Sequence, residues 1–343
     1  MATVSAAAPV MSATSPASLT LPVLDLAPYL RQEAGALQRL AGELRDALER
    51  IGFFFIINHG VPQALIDRVF AEAARFHALP LEDKMALKLS ASNTGYLCLG
   101  QSRSRASALD GHKKPNLNAA FFMKRDRTPD DPDVLAGKPL RGLNQWPGHL
   151  PGYRETLLDY FASMEALGKQ LVPLYAVALD LPADYFAPFF REPQMTLRLS
   201  HYPVMEHDAH QYGLAPHTDS GFMTFLPQNE IPGLAIRPEG YDWMEPPVLP
   251  GSFLVNSGDI LRRWTNDRFL STSHRVLNSS GRDRYAIPVF FDPNTDTLIE
   301  CLPTCQGPDN PAKYPPVTYE SYLLWFTSSN YHTDAAQPVA PRP

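Results

Sequence analysis

Apolar positions follow two different spacings along the chain, and the change of spacing divides it into two parts. Up to about residue 190 they recur mainly every three or four residues, which predicts helices. The run FFFII is an exception, because its length and its glycine-flanked ends are typical of a buried strand. The elements predicted in this part are a helix over 33–51, the strand 53–57, a helix over 62–78, a loop-like stretch over 91–118 and a long helix over 153–181 with a kink at Pro173.

Beyond residue 195 the pattern changes to short β-type runs. Clusters rich in Asn, Pro and Gly, at 229–233 and 246–251, separate them. Several short strands with regular turn signals predict a sandwich, a barrel or a jelly roll. A closing helix is predicted over 319–330. The predicted strands are TLRLSHY, FMTFL, GLAIR, SFLVN, STSHRV and YAIPVFF.

Composition supports a mainly β core with flanking helices. Proline supplies 34 of the 343 residues, about twice the usual ~5%, and interior prolines break helices. We expect a single domain over 21–331. It comprises an N-terminal helical and β cap (21–190), a jelly-roll core (196–300) and the C-terminal helix (319–330).

The two ends of the chain and its apolar runs bear on location. Residues 1–20 are rich in Ala, Ser and Thr and contain no Lys or Arg, so they predict a disordered leader rather than a signal peptide or presequence. The Pro/Ala-rich segment 332–343 is predicted to be a mobile tail. No apolar run approaches the ~18 residues of a membrane span. We therefore expect a cytoplasmic protein with no membrane partner.

Charge argues against one class of partner. The chain has 30 Lys and Arg against 36 Asp and Glu, a net charge of −6, whereas nucleic-acid binders are usually basic. The segment 101–127 has a local excess of Lys and Arg. That excess fits either a solvated face or a rim that favours an anionic substrate.

Two histidines and an aspartate form the strongest chemical signal. His217 and Asp219 are two residues apart on a β-type run, and His274 lies on a later run. Two imidazoles and one carboxylate make up the facial triad of non-haem Fe(II) oxygenases, which leaves positions open for co-substrate and O₂. An isolated HxD pair is also compatible with a strand-end histidine that bonds its neighbour.

Arg284 adds context, because it begins the apolar run RYAIPVFF. A buried charge needs a partner, and guanidinium groups bind carboxylates in a bidentate manner. Arg284 therefore fits either a dicarboxylate co-substrate or a structural ion pair with an acid such as Asp259. Tyr202 could add a hydroxyl to the same carboxylate, or be an ordinary core tyrosine.

Together these segments resemble the isopenicillin-N-synthase-like branch of the Fe(II)/2-oxoglutarate-dependent oxygenases, from about Leu21 to Tyr331. The similarity rests on LPVLDL, GFFFIINHGVP, LRLSHYP, LAPHTDSGFMTFL, PGLAIRP, PGSFLVNSGDILRRWTNDRFLSTSHRVLN, RYAIPVFFDPN and YPPVTYESYL. The resemblance implies a double-stranded β-helix with iron held by His217, Asp219 and His274.

The resemblance also implies the co-substrate contacts. Arg284 is the Arg of the family pattern RxS, which binds the distal carboxylate of 2-oxoglutarate, and Tyr202 matches a tyrosine that contacts the same group. Ala286 stands where the pattern has Ser, so one hydroxyl is missing. A neutral hydrogen bond contributes only ~0.5–1.5 kcal/mol, so we expect 2-oxoglutarate binding to persist. The alternative is an oxidase that, like isopenicillin N synthase, uses no 2-oxoglutarate.

The implied function is oxidation of an unactivated C–H bond of a small organic molecule, in secondary metabolism, by hydroxylation, desaturation or cyclisation. Fe(II), 2-oxoglutarate and O₂ would be required, ascorbate would serve as an activator, and succinate and CO₂ would be co-products. We expect a substrate with an apolar or aromatic body and an anionic group. The predicted substrate-binding residues are Tyr96, Arg105, Phe122, Arg198, Phe225, Phe291 and Trp325.

Overall fold

The computed structural model describes residues 19–102, 114–204 and 211–331. Nearly all of the predicted leader and the whole predicted tail lie outside these ranges. Within them, no helix combines the length and apolar character needed to cross a membrane.

Helices form one layer of the molecule. The helices Ala36–Arg50 and Gln63–His77 each bury one mainly aliphatic face, and the longer helix Tyr153–Ala178 contains Pro173 within its span. The helices of the described residues are α1 (Ala27–Leu30), α2 (Ala36–Arg50), α3 (Gln63–His77), α4 (Leu81–Met85), α5 (Pro132–Leu135), α6 (Tyr153–Ala178), α7 (Asp259–Trp264) and α8 (Tyr319–Asn330).

Short strands lie before and between the helices. Those of the N-terminal part are β1 (Val23–Asp25), β2 (Phe53–Ile57), β3 (Gly95–Leu97) and β4 (Ala119–Met123). Those of the C-terminal part are β5 (Gln194–Tyr202), β6 (Leu214–His217), β7 (Met223–Pro227), β8 (Leu234–Arg237), β9 (Phe253–Ser257), β10 (Ser273–Val276), β11 (Arg284–Ala286), β12 (Val289–Asp292), β13 (Leu298–Ile299) and β14 (Val317–Thr318).

Two sheets enclose the centre of the molecule. The major sheet has the strand order β1-β2-β9-β7-β12-β5-β4-β3, with β11 also paired to β5, and the minor sheet has the order β6-β10-β8. Side chains alternate between the faces of a strand. On β2, Phe54 and Ile56 join the core beneath α2, α3 and α6, whereas Phe53 and Phe55 pack against Ile236 of the minor sheet. The inner face of the major sheet is therefore the one that meets the minor sheet.

Most predicted elements are confirmed, and two are corrected. The stretch 91–118 is not all loop, because β3 lies within it. The run YAIPVFF is not one strand: β11 ends at Ala286 and β12 begins at Val289. Pro288 lies between them and has no N–H to donate to a ladder.

Candidate metal centre and co-substrate pocket

The three predicted ligands converge on one point between the sheets. His217 ends β6, Asp219 follows in the turn, and β10 pairs His274 directly with His217. The Nε2 atoms of His217 and His274 lie 3.9 and 3.6 Å from Oδ1 of Asp219. All three candidate ligand atoms lie within 4.8 Å of one another, which suits atoms that share an ion at about 2.0–2.2 Å.

Hydrogen bonds orient each of the three groups toward that point. Nδ1 of His217 lies 2.9 Å from the carbonyl of Ala215, and Nδ1 of His274 lies 3.2 Å from that of Thr272. A carbonyl only accepts, so each Nδ1 carries the proton and each Nε2 presents its lone pair.

The carboxylate of Asp219 is oriented in the same way. Its Oδ2 accepts hydrogen bonds from Thr224 and Asn256, both at 2.7 Å. These donors occupy Oδ2 and leave Oδ1 toward the histidines. The arrangement fits a metal ion that needs three ligands on one side.

Charges in the site favour the ligating protonation states. Burial, with a smaller contribution from the neighbouring His274, lowers the pKa of His217 to about 3. Burial opposes ionisation of Asp219, but His274, His217 and the bonds from Asn256 and Thr224 outweigh it and lower the pKa of that carboxyl. These shifts favour a neutral imidazole at His217 and a carboxylate at Asp219, the states that bind metal ions.

Arg284 lies apart from the ligands on the inner face. Its side chain is buried, its Nε donates to the carbonyl of Ile231 at 3.3 Å, and its Nη1 has no hydrogen-bond partner within the described ranges. Burial lowers the pKa of this guanidinium, while Tyr202 opposes the shift. The alternative ion pair with Asp259 is not formed, because Asp259 instead accepts from Thr218 and Tyr322. A buried guanidinium with a free donor fits a carboxylate ligand.

Tyr202 faces Arg284 across the sheet. The register of β5 and β11 pairs these two residues, and the guanidinium carbon lies 5.2 Å from the centre of the tyrosine ring. The same register pairs Ala286 with Ser200. Arg284, Tyr202 and Ala286 therefore share one patch of the inner face.

Arg198 and Phe122 also face the site. They are register partners on β5 and β4, with the guanidinium 5.2 Å from the phenyl ring. Arg198 donates to Asn118 at 2.8 Å, its Nε lacks a partner among the described residues, and its charge acts on His217.

Tyr331 also lies beside the candidate site, although no sequence pattern predicts it there. It follows α8, and its ring lies 5.5 Å from that of Phe122. Burial raises the pKa of Tyr331; Arg198 opposes that rise, and Asp219 and Tyr202 add to it. No motif marks this tyrosine, since only the return of the chain end places it beside the inner face.

Three of the predicted substrate-binding residues pack in the core rather than on the inner face. Phe225 and Phe291 are fully buried on the outer face of the major sheet, in the core beneath the helices. The ring of Phe291 stacks on Phe190 with centroids 5.4 Å apart. Tyr96 lies in the same core. Alternation explains the difference: Thr224 contacts Asp219, so its neighbour Phe225 must point away.

Two other residues, Trp325 and Arg105, are also predicted to bind substrate. Trp325 packs against Tyr322, whose hydroxyl donates to Asp259, so α8 contacts the segment next to the ligands. Arg105 lies outside the described residues.

Comparisons with known proteins agree with this geometry. Residues 21–149 match the N-terminal family of non-haem dioxygenases in morphine synthesis, and residues 193–293 match the 2OG-Fe(II) oxygenase superfamily. The 2-oxoglutarate-Fe(II) type oxidoreductase hxnY of Emericella nidulans is 36% identical over 320 residues, which cover 90% of each chain. Kihadalactone A synthase LFS of Citrus sinensis is 35% identical, with 83% of this chain and 86% of that one covered.

The fold has a solved counterpart. A full-length Neurospora crassa protein, solved in complex with alpha-KG and thymine, matches with a TM-score of 0.79, covering 91% of this chain and 97% of that one at 24% identity. Its likeness is one of fold, a jelly-roll core with flanking helices, while the relatives named above carry the assignment of family. The chain belongs to the 2-oxoglutarate- and Fe(II)-dependent oxygenases, enzymes that require Fe(II), 2-oxoglutarate and O₂.

Proposed function

We propose that His217, Asp219 and His274 hold the Fe(II) of this oxygenase and that Arg284 and Tyr202 bind the distal carboxylate of 2-oxoglutarate. The observation that carries the proposal is the convergence of the three ligand atoms, with Nδ1 of each histidine and Oδ2 of Asp219 already bonded. The buried Nη1 of Arg284, which has no hydrogen-bond partner among the described residues, supports the second half. A dicarboxylate would supply the counter-charge that this guanidinium lacks within that part of the chain.

When bound, Fe(II) would couple the reduction of O₂ to the oxidative decarboxylation of 2-oxoglutarate, which forms succinate and CO₂, and would so supply the oxidant that removes hydrogen from a C–H bond. The protein's own residues orient the metal ligands and bind the co-substrate. Thr224 and Asn256 fix the orientation of Asp219, and the backbone carbonyls of Ala215 and Thr272 fix both imidazoles. Arg284 and Tyr202, which are register partners on the inner face, would bind the distal carboxylate of the co-substrate.

The substrate proposed is a small organic acid with an apolar or aromatic body. Arg198 supports the anionic group, because its guanidinium is buried and its Nε is unpaired within the described part of the chain. Phe122 and Tyr331 provide aromatic surface next to it. The solved Neurospora crassa structure holds thymine and a JOX2 structure holds JA, and these small ligands support a small-molecule substrate here. The names of relatives such as Kihadalactone A synthase support a role in secondary metabolism.

The experiment is a screen of small carboxylic acids for stimulated consumption of 2-oxoglutarate by the iron-loaded enzyme. We expect one succinate for each oxidised product. Product formed without succinate would contradict the proposal and favour the oxidase alternative. His217→Ala should abolish turnover and metal binding while its melting temperature stays near that of the wild type, and retained turnover would refute the ligand assignment.

A further inference from the structure

Ser200 is a buried hydroxyl for which the chain provides no hydrogen-bond partner within the described residues. It lies on β5 between Arg198 and Tyr202, on the same inner face. Its exposed fraction is 0%, and its Oγ makes no hydrogen bond to any described residue. A buried polar group without a partner is costly. An unpaired hydroxyl that faces a ligand site therefore points to a ligand atom.

Alanine flanks Ser200 on both sides of the sheet. The register pairs Ser200 with Ala120 of β4 and with Ala286 of β11. Both of these neighbours carry only a methyl side chain, so neither can hydrogen-bond to the hydroxyl. In this row of three residues, Ser200 is the one hydroxyl donor.

Ala286 is also the position at which the RxS pattern of the family has a serine. Directly opposed residues on antiparallel strands have Cβ atoms about 5 Å apart. A hydroxyl on Ser200 therefore lies close to where a serine at position 286 would present its own. Tyr202 is paired with Arg284 and Ser200 with Ala286, so all four positions share one patch of the inner face.

We propose that the hydroxyl of Ser200 donates a hydrogen bond to the distal carboxylate of 2-oxoglutarate and replaces the donor that is missing at position 286. The donor would then lie on β5, directly opposite the β11 position at which the family pattern has its serine. Ser200 is then a binding residue that tunes affinity for the co-substrate. This inference rests on the proposed roles of Arg284 and Tyr202.

The test is direct binding of 2-oxoglutarate to the Mn(II)-loaded protein, measured by calorimetry without turnover. Ser200→Ala should weaken binding about tenfold, within the range for a hydrogen bond to a charged group. Ala286→Ser in the Ser200→Ala background should restore most of that affinity. In the wild-type background the same change should have a smaller effect, because one donor is already present. Ser252→Ala is the matched control: it removes a buried hydroxyl bonded to Leu249, remote from the cavity, and should leave affinity unchanged.

A second ligand tests which of the two carboxylates of 2-oxoglutarate accepts the hydrogen bond from Ser200. 2-Oxobutyrate keeps the 2-oxo acid end but lacks the distal carboxylate, so Ser200→Ala should change its affinity less than twofold. Equal weakening of both ligands would overturn the proposal, as would an unchanged affinity for 2-oxoglutarate. If Ser200→Ala strongly lowers the melting temperature, the affinities of Ala286→Ser and the wild type for 2-oxoglutarate are compared instead. A full tenfold gain in affinity for Ala286→Ser would contradict the proposal, because it would mean that the wild type has no donor at this carboxylate.

Arg284→Met separates this inference from the proposed function. If Arg284→Met weakens 2-oxoglutarate strongly and Ser200→Ala does not, only the inference about Ser200 fails. If neither variant changes binding, the proposed co-substrate site fails as a whole.

Discussion

Gly258 packs directly against the backbone of Asp219. A Cβ at position 258 would lie 2.8 Å from the carbonyl oxygen of Asp219 and 2.5 Å from that of Gly221. The amide of Asp259 also donates to the Asp219 oxygen at 2.7 Å, so the two segments are held together. We expect Gly258→Ala to displace Asp219 and to lower metal affinity about 10–100-fold, measured by anaerobic titration with Fe(II). Gly42→Ala on α2, where a Cβ meets nothing within 4 Å, is the control. Equal affinities in both variants would show that the contact does not matter.

Asn256 orients the carboxylate of Asp219. Its Nδ2 donates to Oδ2 of Asp219 at 2.7 Å from the inner face of the major sheet. We expect Asn256→Ala to weaken metal binding by about tenfold or more, because loss of such an orienting partner typically costs 10–100-fold. Fe(II) titration provides the measurement. Asn294→Ala, which removes an exposed amide bonded to Pro188, should leave it unchanged. Lower stability with unaltered metal affinity would mean that Asn256 has a purely structural role.

The proposed ligands could be selected from the sequence because the signal is local. His217 and Asp219 are close together in the chain, and the apolar runs that carry them are short and bounded by turns. The inner and outer faces are harder to predict, because FMTFL and VFF are apolar at nearly every position and show no alternation. Thr224, the hydroxyl within FMTFL, marks the inner face and would have assigned Phe225 to the outer one. Ser200 and Tyr331 depend on long-range pairing, between β5 and β11 and at the end of α8, that no spacing reveals.

Arg198 should determine binding of an anionic substrate. Its guanidinium is held by Asn118 and lies over Phe122. We expect Arg198→Met to raise the KM of the carboxylic-acid substrate at least tenfold, because a charge-assisted bond contributes about 1.5–3 kcal/mol. Steady-state kinetics at saturating 2-oxoglutarate give this value. Arg198→Lys keeps the charge and should lose less. An uncharged analogue of the substrate should bind both variants alike, and equal losses for both substrates would argue against recognition of an anion.

His77 makes stability depend on pH. It is buried, its Nε2 lies 2.9 Å from the carbonyl of Leu199, and burial lowers its pKa to about 3 from 6.5. As pH falls below 6.5 the unfolded chain binds a proton that the folded protein excludes, so stability falls with decreasing pH until about pH 3. The slope from this group is about 1.4 kcal/mol per pH unit. Urea unfolding at pH 6, 5 and 4 should therefore show a shallower decline for His77→Gln than for the wild type. Parallel curves would exclude His77 as the cause.

Phe291 tests the assignment of faces on the major sheet. Its ring is fully buried against α6, where a Cβ on Gly168 would lie 2.3 Å from it. Phe291→Ala should leave a cavity and lower the free energy of unfolding by about 3–5 kcal/mol, while the KM for substrate changes less than twofold. Phe122→Ala, on the inner face, should instead raise that KM. Urea unfolding and steady-state kinetics on the same preparations separate the two effects. If Phe291→Ala raised the KM and left stability intact, the ring would have to face the substrate, contrary to its packing on Phe190.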